Sequence, residues 1–246
     1  MPEDARTSLE PDGMEARASK LGGVPFSPAG YAWPTDRDGR RLHFVAQVNF
    51  AEAPPLRGPG LPAGFPTEGL LQVFEHDFGS GAEEDAGCVK YFTAEEARAP
   101  HVPYPDDIPF PEYPASSVER PSRVSFSAGT SAGATDDVVF RAGFAAAGVD
   151  HDGWAGDRYA DALDELYDRF YSTDGFGPSG HRIGGYAGFT QADPREGQDI
   201  PDVHVLQIGS DDHVMFGDAG IAHVFIPTDA IAAGDWSRAY YIRDCY

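Results

Sequence analysis

Lys20-Leu21-Gly22-Gly23, Val45-Ala46-Gln47-Val48 and Gly69-Leu70-Leu71-Gln72-Val73-Phe74 occur in that order early in the chain. Arg182-Ile183-Gly184-Gly185, Val205-Leu206-Gln207-Ile208 and Gly220-Ile221-Ala222-His223-Val224-Phe225 repeat the order near its end. Each set reads as a basic residue, an aliphatic residue and two glycines, then an apolar strand centred on Gln, then Gly and a strand ending in Val-Phe. Gly-Gly to central Gln spans 24 residues in the first copy (Gly23 to Gln47) and 22 in the second (Gly185 to Gln207). The next interval is 25 residues (Gln47 to Gln72) against 16 (Gln207 to His223). An ordered trio recurring in this way implies an internal duplication.

Adjacent glycines suit a bend with positive φ or a backbone packed too closely for a Cβ. A ligand-cradling loop is the alternative, although neither copy has the glycine pattern of a phosphate loop. A Gln inside an apolar strand brings donors and an acceptor whose burial costs about 1–3 kcal/mol for each group left unpaired. Gln47, Gln72 and Gln207 are therefore expected to bond to backbone or to one another. The competing reading has them line a cleft between the copies and recognise a polar ligand.

Around these landmarks the alternation over residues 42–50 predicts a strand, with Phe44, Ala46 and Val48 on one face and Val45 and Gln47 on the other. Residues 70–74, 88–92, 123–127, 204–208, 221–226 and 239–242 read as further strands. Thr93-Ala94-Glu95-Glu96 has capping-box spacing before a short helix stopped by Pro100. Prolines at 100, 103, 105, 109, 111 and 114 predict an extended surface crossover. Tyr159, Leu163, Leu166 and Phe170 recur at helical spacing and predict an amphipathic helix over residues 156–171. Asp211-Asp212-His213 fits a hairpin turn, and a short helix starts at Pro227. Many short strands and few helices give an α+β, β-rich single domain of two pseudo-repeats. Residues 1–18 form a lead-in; the repeats cover about 20–127 and about 182–246, with a linking segment and helix between.

Composition narrows the functional classes. With 246 residues, 41% of them hydrophobic and 12% aromatic, the chain can bury a globular core. Forty acidic against 18 basic residues give a net charge of −22. Such a surface repels phosphate, so neither nucleic acid nor an anionic membrane is an expected partner. No apolar run approaches the ~20 residues that span a bilayer, and residues 1–18 lack a signal peptide's apolar stretch, so the expected location is cytoplasmic. Cys88 and Cys245 make neither a disulfide framework nor a zinc-binding spacing, and no metal or other cofactor is expected.

Histidine beside acid occurs at Glu75-His76-Asp77, Asp150-His151-Asp152 and Asp211-Asp212-His213, no more often than an acidic composition produces by chance. No nucleophile elbow, metalloprotease helix or dinucleotide fingerprint is present, and no catalytic residue is assigned. The densest polar group is Gln207, Ser210, Asp211 and Asp212, followed by Asp218 between Gly217 and Ala219. The ligand-binding candidates are Lys20, Gln47, Gln72, Arg182, Gln207, Ser210, Asp211 and Asp218.

Ser19-Lys20-Leu21-Gly22-Gly23-Val24-Pro25, Ala46-Gln47-Val48-Asn49-Phe50 and Gly69 to Phe74 resemble the first half of the YwqG-like family of uncharacterised bacterial proteins. Ile183-Gly184-Gly185-Tyr186, Gln191, Asp193-Pro194-Arg195, Leu206 to Asp211, Phe216 to Gly220 and Arg243-Asp244-Cys245-Tyr246 resemble its second half. The chain departs from the family pattern at Gly209, where Asp is common, at Phe216, where Trp is common, and in the short apolar run before Gln207. The resemblance implies a duplicated α+β fold and brings no established activity. Some relatives are associated with toxin–immunity loci, which implies a binding role. The expected function is therefore a non-enzymatic binding protein of the toxin-neutralising kind with a basic protein partner. The rival is a small-ligand or metal-dependent enzyme using a cleft between the repeats, with Asp211, Asp212, Asp218 and a histidine.

Overall fold

Two antiparallel sheets, each built around one of the Gln-centred strands, organise the chain. The computed structural model describes residues 13–56, 61–76, 87–102, 117–118, 120–129, 136–146 and 179–245. The helix expected over 156–171, most of the proline-rich crossover and Asp150-His151-Asp152 lie outside these residues. Of the described residues, those within Met1–Pro55, Pro66–Ser127 and Asp212–Val214 form one unit. Those within Leu56–Phe65, Ala128–Asp211 and Met215–Tyr246 form the other.

In the first unit the strands are β1 (Lys20–Leu21), β2 (His43–Asn49), β3 (Leu70–Glu75), β4 (Gly87–Phe92) and β5 (Ser122–Arg123), in the order β4-β3-β2-β1-β5. In the second they are β6 (Arg182–Ile183), β7 (Val203–Gly209), β8 (Ile221–Ile226) and β9 (Tyr240–Asp244), in the order β6-β7-β8-β9. Two short α-helices are described, α1 (Val138–Ala146) and α2 (Thr228–Ala233). No helix among the described residues is long and apolar enough to cross a membrane.

The registers of the two sheets match. Lys20 lies opposite Gln47 and Leu21 opposite Ala46; Arg182 lies opposite Gln207 and Ile183 opposite Leu206. Both central strands carry a bulge at the same place. Phe44 and Ala46 face Phe74 and Val73, and His204 and Leu206 face Phe225 and Val224, so one extra residue, Val45 or Val205, enters each ladder. The bulge corrects the expected faces of β2. Gln47 is opposite Gln72 and Phe44 opposite Phe74, and residues 72 and 74 share a face, so Gln47 lies with Phe44 rather than with Val45.

The doubled glycines are the bend that the repeat requires. Gly22 and Gly23 have φ of 59° and 77°, Gly184 and Gly185 of 64° and 74°, a left-handed run open to glycine. The bend also limits β1 to two residues. Because β5 pairs with β1, the expected strand over 123–127 shrinks to Ser122–Arg123. Gly69 and Gly220, which precede β3 and β8, answer a second need. A Cβ on Gly69 would stand 2.6 Å from the Phe92 carbonyl oxygen, and one on Gly220 2.0 Å from that of Asp244. In both sheets the outer strand closes against a glycine.

Local signals set the short elements. Thr93 and Glu96 form the expected reciprocal cap, with Thr93 N donating to Glu96 Oε2 at 2.8 Å and Glu96 N to Thr93 Oγ1 at 3.2 Å. The helical turn that follows is a 3-10 turn over Glu96–Arg98. α2 ends at Gly234 in the left-handed conformation, whose N–H returns to Ala230 and Ile231 carbonyls. α1 was not expected: Val138-Val139-Phe140 opens it with poor helix formers. Asp137 caps it, its Oδ1 accepting from Val139 N at 2.7 Å and Phe140 N at 2.9 Å.

Two glycine substitutions separate the two uses of that residue. Gly220→Ala should lower unfolding free energy by about 1–3 kcal/mol, since backbone must shift to admit the methyl. Gly143→Ala, in exposed α1 with nothing within 4 Å of the new Cβ, should raise it by about 0.5–1 kcal/mol. Urea unfolding of both variants measures the pair, and the same sign for both would show that close approach is not what holds Gly220.

Candidate functional site

The buried candidates Lys20, Gln47 and Gln72 fall in the first unit, and Arg182 and Gln207 take the matching places in the second. Gln47 is fully engaged. Its Oε1 accepts from Phe26 N (2.8 Å) and Gln72 Nε2 (2.9 Å), and its Nε2 donates to Ala16 and Ala18 carbonyls (2.9 and 2.8 Å). Gln72 Nε2 also donates to the Phe26 carbonyl at 2.7 Å, while its Oε1 accepts from the Tyr31 hydroxyl at 3.0 Å. In the second unit Gln207 Oε1 accepts from Gly188 N (2.8 Å) and Nε2 donates to Gly180 O (2.7 Å). The paired cations brace the glycine bends: Lys20 Nζ reaches Val24 O at 2.9 Å, and Arg182 Nη1 reaches Tyr186 O at 3.0 Å. Lys20 is completely buried.

The turn candidates lie after β7. Ser210 closes the turn, its Oγ donating to Gly220 O (2.7 Å) and accepting from Phe216 N (3.0 Å). Asp211 pairs with His181, a residue that sequence reading passed over. His181 Nδ1 accepts from Gly209 N at 3.2 Å, so the Nε2 that meets Asp211 Oδ2 at 3.0 Å carries the proton. Asp218 is exposed in the same turn. Gly209, which departs from the family pattern, has a steric cause: a Cβ there would stand 1.6 Å from the Ser179 carbonyl oxygen.

Where the copies differ, the difference is chemical. The first unit fills the face of Gln72 with Leu42, Phe44 and Phe74, packed by Tyr31, Trp33 and Cys88. The second places His204 where the first has Phe44, and His223 where it has Gln72. Trp33 packs edge-on to Phe74 at 5.4 Å; in the second unit Arg195 lies over Phe225, 4.8 Å from the ring centre. Buried Arg195 donates through Nη2 to Asp137 Oδ2 (3.0 Å) and Asp193 Oδ2 (2.7 Å), through Nε to Asp193 Oδ1 (2.9 Å), and through Nη1 to Asp202 O (3.2 Å). Asp193 Oδ2 also accepts from Val138 N, which fixes the start of α1. Burial opposes the guanidinium charge, but these bonds and the two carboxylates prevail and raise its pKa.

The two histidines stay neutral. Burial pushes His204 down to about 3, with Arg195 and Arg182 adding to the shift and a bond from Nδ1 to Gly185 O opposing it. Burial drives His223 well below its ordinary value, reinforced by His204, Arg195 and Arg182. The Gly188 backbone lies near enough to oppose this weakly, yet among the described residues neither ring nitrogen of His223 has a partner in hydrogen-bond geometry, nor has His204 Nε2. Their rings are 5.6 Å apart, and Phe189 packs on His223 at 4.8 Å.

One further constellation lies in the first unit. Arg120 Nε can only donate, so its 3.2 Å contact makes His213 Nδ1 the unprotonated nitrogen, which Ser122 Oγ reaches at 2.5 Å. Serine against imidazole is half of a nucleophile–base pair, but Arg120 Nε occupies the same nitrogen that Ser122 Oγ reaches. Among the described residues, no three or more His, Cys, Asp or Glu are placed to hold a metal ion.

The matched registers, bulges and amide ties define a duplicated α+β protein, with aromatic packing on the core face of one copy and a buried arginine–aspartate cluster in the other. The chain belongs to the DUF1963 family, a domain of unknown function, matched over residues 19–245. No curated protein matches it significantly.

Two measurements probe these groups. Gln47→Leu leaves Phe26 N, two carbonyls and the Gln72 amide without their partner, and should cost at least about 2–3 kcal/mol in urea unfolding. The histidines bind fewer protons folded than unfolded, because their folded pKa lies below the unfolded value of about 6.5. Their contribution is complete above about pH 6.5 and is lost as pH falls toward their folded values, with a slope of up to about 1.4 kcal/mol per pH unit each. His204→Phe with His223→Gln, which imports the first copy's residues, should flatten the stability profile between about pH 4 and 6.5. An unchanged profile would mean that the imidazoles take up protons in the folded state.

Proposed function

We propose that the chain is a non-enzymatic binding protein of the cytoplasm, acting on a basic protein partner in the manner of a toxin-neutralising protein. We read the DUF1963 match and the likeness to YwqG-like proteins as one family. The observation that carries the function is the net charge of −22, which among the described residues is least offset by exposed arginine in the second unit. In the first unit Glu15, Asp38, Glu52, Glu68, Glu95, Glu96 and Asp212 are offset by Arg37, Arg40, Arg41, Arg98, Arg120 and Arg123. In the second, Asp136, Glu196, Asp199, Asp211, Asp218, Asp229 and Asp235 are exposed, and Arg238 is the exposed arginine among the described residues. The negative field of the chain accelerates encounter with a basic protein and repels nucleic acid. Toxins that act on nucleic acids present basic clefts of the complementary sign. Cys88 and Cys245 are both free thiols, which suits a reducing compartment.

The test is cross-linking in the native host at low salt, followed by titration of the recombinant partner. The partner should be strongly basic, and association should slow at least about tenfold between roughly 50 and 300 mM salt. Asp199→Lys with Asp218→Lys and Asp229→Lys should slow it similarly, and Glu68→Lys with Glu95→Lys should not. A neutral or acidic partner, or salt-independent association, would refute the reading.

A further inference from the structure

We propose that the Glu196–Asp202 loop presents Ile200 as an apolar knob for a cationic amphipathic segment of the partner, one that carries Lys or Arg beside large apolar residues. The proposal rests on the basic-partner reading and gives it a contact point. Ile200 is 71% exposed; the next large hydrophobic among the described residues, Val102, is 44% exposed. A single exposed apolar residue is ordinary on a protein surface. What sets Ile200 apart is the bracing of the loop that carries it.

Gln198 N donates to Arg195 O at 3.1 Å, and Asp202 N donates to Gln198 Oε1 at 2.9 Å, closing the loop on itself. Arg195, held by its two carboxylates, grips the Asp202 carbonyl, and Tyr240 donates its hydroxyl to Asp202 Oδ2 at 2.8 Å. Thr228 Oγ1, in the first turn of α2, reaches Pro201 O at 3.4 Å. Pro201 biases Ile200 to an extended backbone. The knob is therefore already ordered, so binding to it forfeits little conformational entropy.

The surroundings select the charge of the ligand. Asp199 is exposed in the loop itself, as is Glu196, whose Oε1 accepts from Arg141 Nη2 at 3.2 Å. Arg238 interacts with Asp229, Asp235 and Asp202 together, so three acids on the adjoining side share one cation. An apolar knob within such a rim favours a segment that buries an aliphatic or aromatic residue on Ile200 and places ammonium or guanidinium groups over the acids.

A synthetic Leu/Lys peptide designed as an amphipathic helix, and a scrambled peptide of identical composition, test this by fluorescence anisotropy with the full chain. The amphipathic peptide should bind at least about tenfold tighter than the scrambled one. Ile200→Ala and Ile200→Asp should abolish that preference, Ile200→Leu should keep it, and Val102→Asp should leave it unchanged. Equal binding of both peptides, or a preference that survives Ile200→Ala, overturns the knob and leaves the basic-partner reading standing. No binding by either peptide overturns both.

Discussion

Everything regular in each half depends on one amide buried at the centre of its sheet. Gln47 and Gln207 occupy the middle of β2 and β7, and each accepts a backbone N–H from the segment beyond the glycine bend while donating to the segment before β1 or β6. A buried amide without these bonds would cost several kcal/mol, so the irregular chain on either side of the short strand is held at a fixed distance from the sheet. The bulge makes this possible. Without the extra Val45 or Val205, the amide would point to the other face of the sheet, away from the backbone groups it ties. Bulge, amide, glycine bend and bracing cation form one device, and the chain builds it twice.

Within that device the two halves fill equivalent space by opposite means. The first buries aromatic rings against Phe74; the second buries Arg195 with Asp137 and Asp193, beside two neutral histidines. A buried ion pair seldom stabilises more than well-packed hydrophobic residues of the same volume. Here the ion cluster does something packing could not: Asp137 and Asp193 both accept from the first turn of α1, so the guanidinium positions a helix as well as filling the core. The same arginine holds the Asp202 carbonyl, linking the core to the surface loop of Ile200. Among the described residues, exposed arginines accompany the exposed acids of the first unit more than those of the second.

The sequence made visible whatever the duplication repeats. Glycine pairs, central glutamines and their spacing are short-range signals with few physical interpretations, and the α+β, β-rich architecture follows from them. His223 stood where Gln72 stands, and His204 lies three residues before Gln207 as Phe44 does before Gln47, so the pair could have been found by asking where the copies disagree. The bulge was not legible, since an extra Val in an apolar run leaves the alternation looking intact. Nor was α1, because Val138, Val139 and Phe140 have weak helix preference and the capped start is held by Asp193 and Arg195 from elsewhere in the chain. The burial of Arg195 was equally hidden. An Asp-Pro-Arg triplet in a loop reads as solvated, and only tertiary contact with Phe225 and Asp137 takes it out of water.

The motifs that carry the family likeness turn out to be ties of the scaffold. Asp244 Oδ2 accepts from Thr190 N and Gln191 N, and Gln191 Nε2 returns to Cys245 O, so the closing Arg-Asp-Cys segment is bonded to the Gln of the second opening. Asp193 and Arg195 form the buried ion cluster, and Ser210 and Gly220 close the turn before β8. A match built on such residues identifies a fold and cannot by itself identify a ligand. Specificity must then come from residues that the ties hold in place without using, and the second unit offers them: a braced loop with Ile200 at its tip, and acids with few basic neighbours. In this reading the internal repeat supplies rigidity in both halves, and the divergence of the second copy turns that rigidity into a charged surface with one ordered apolar point.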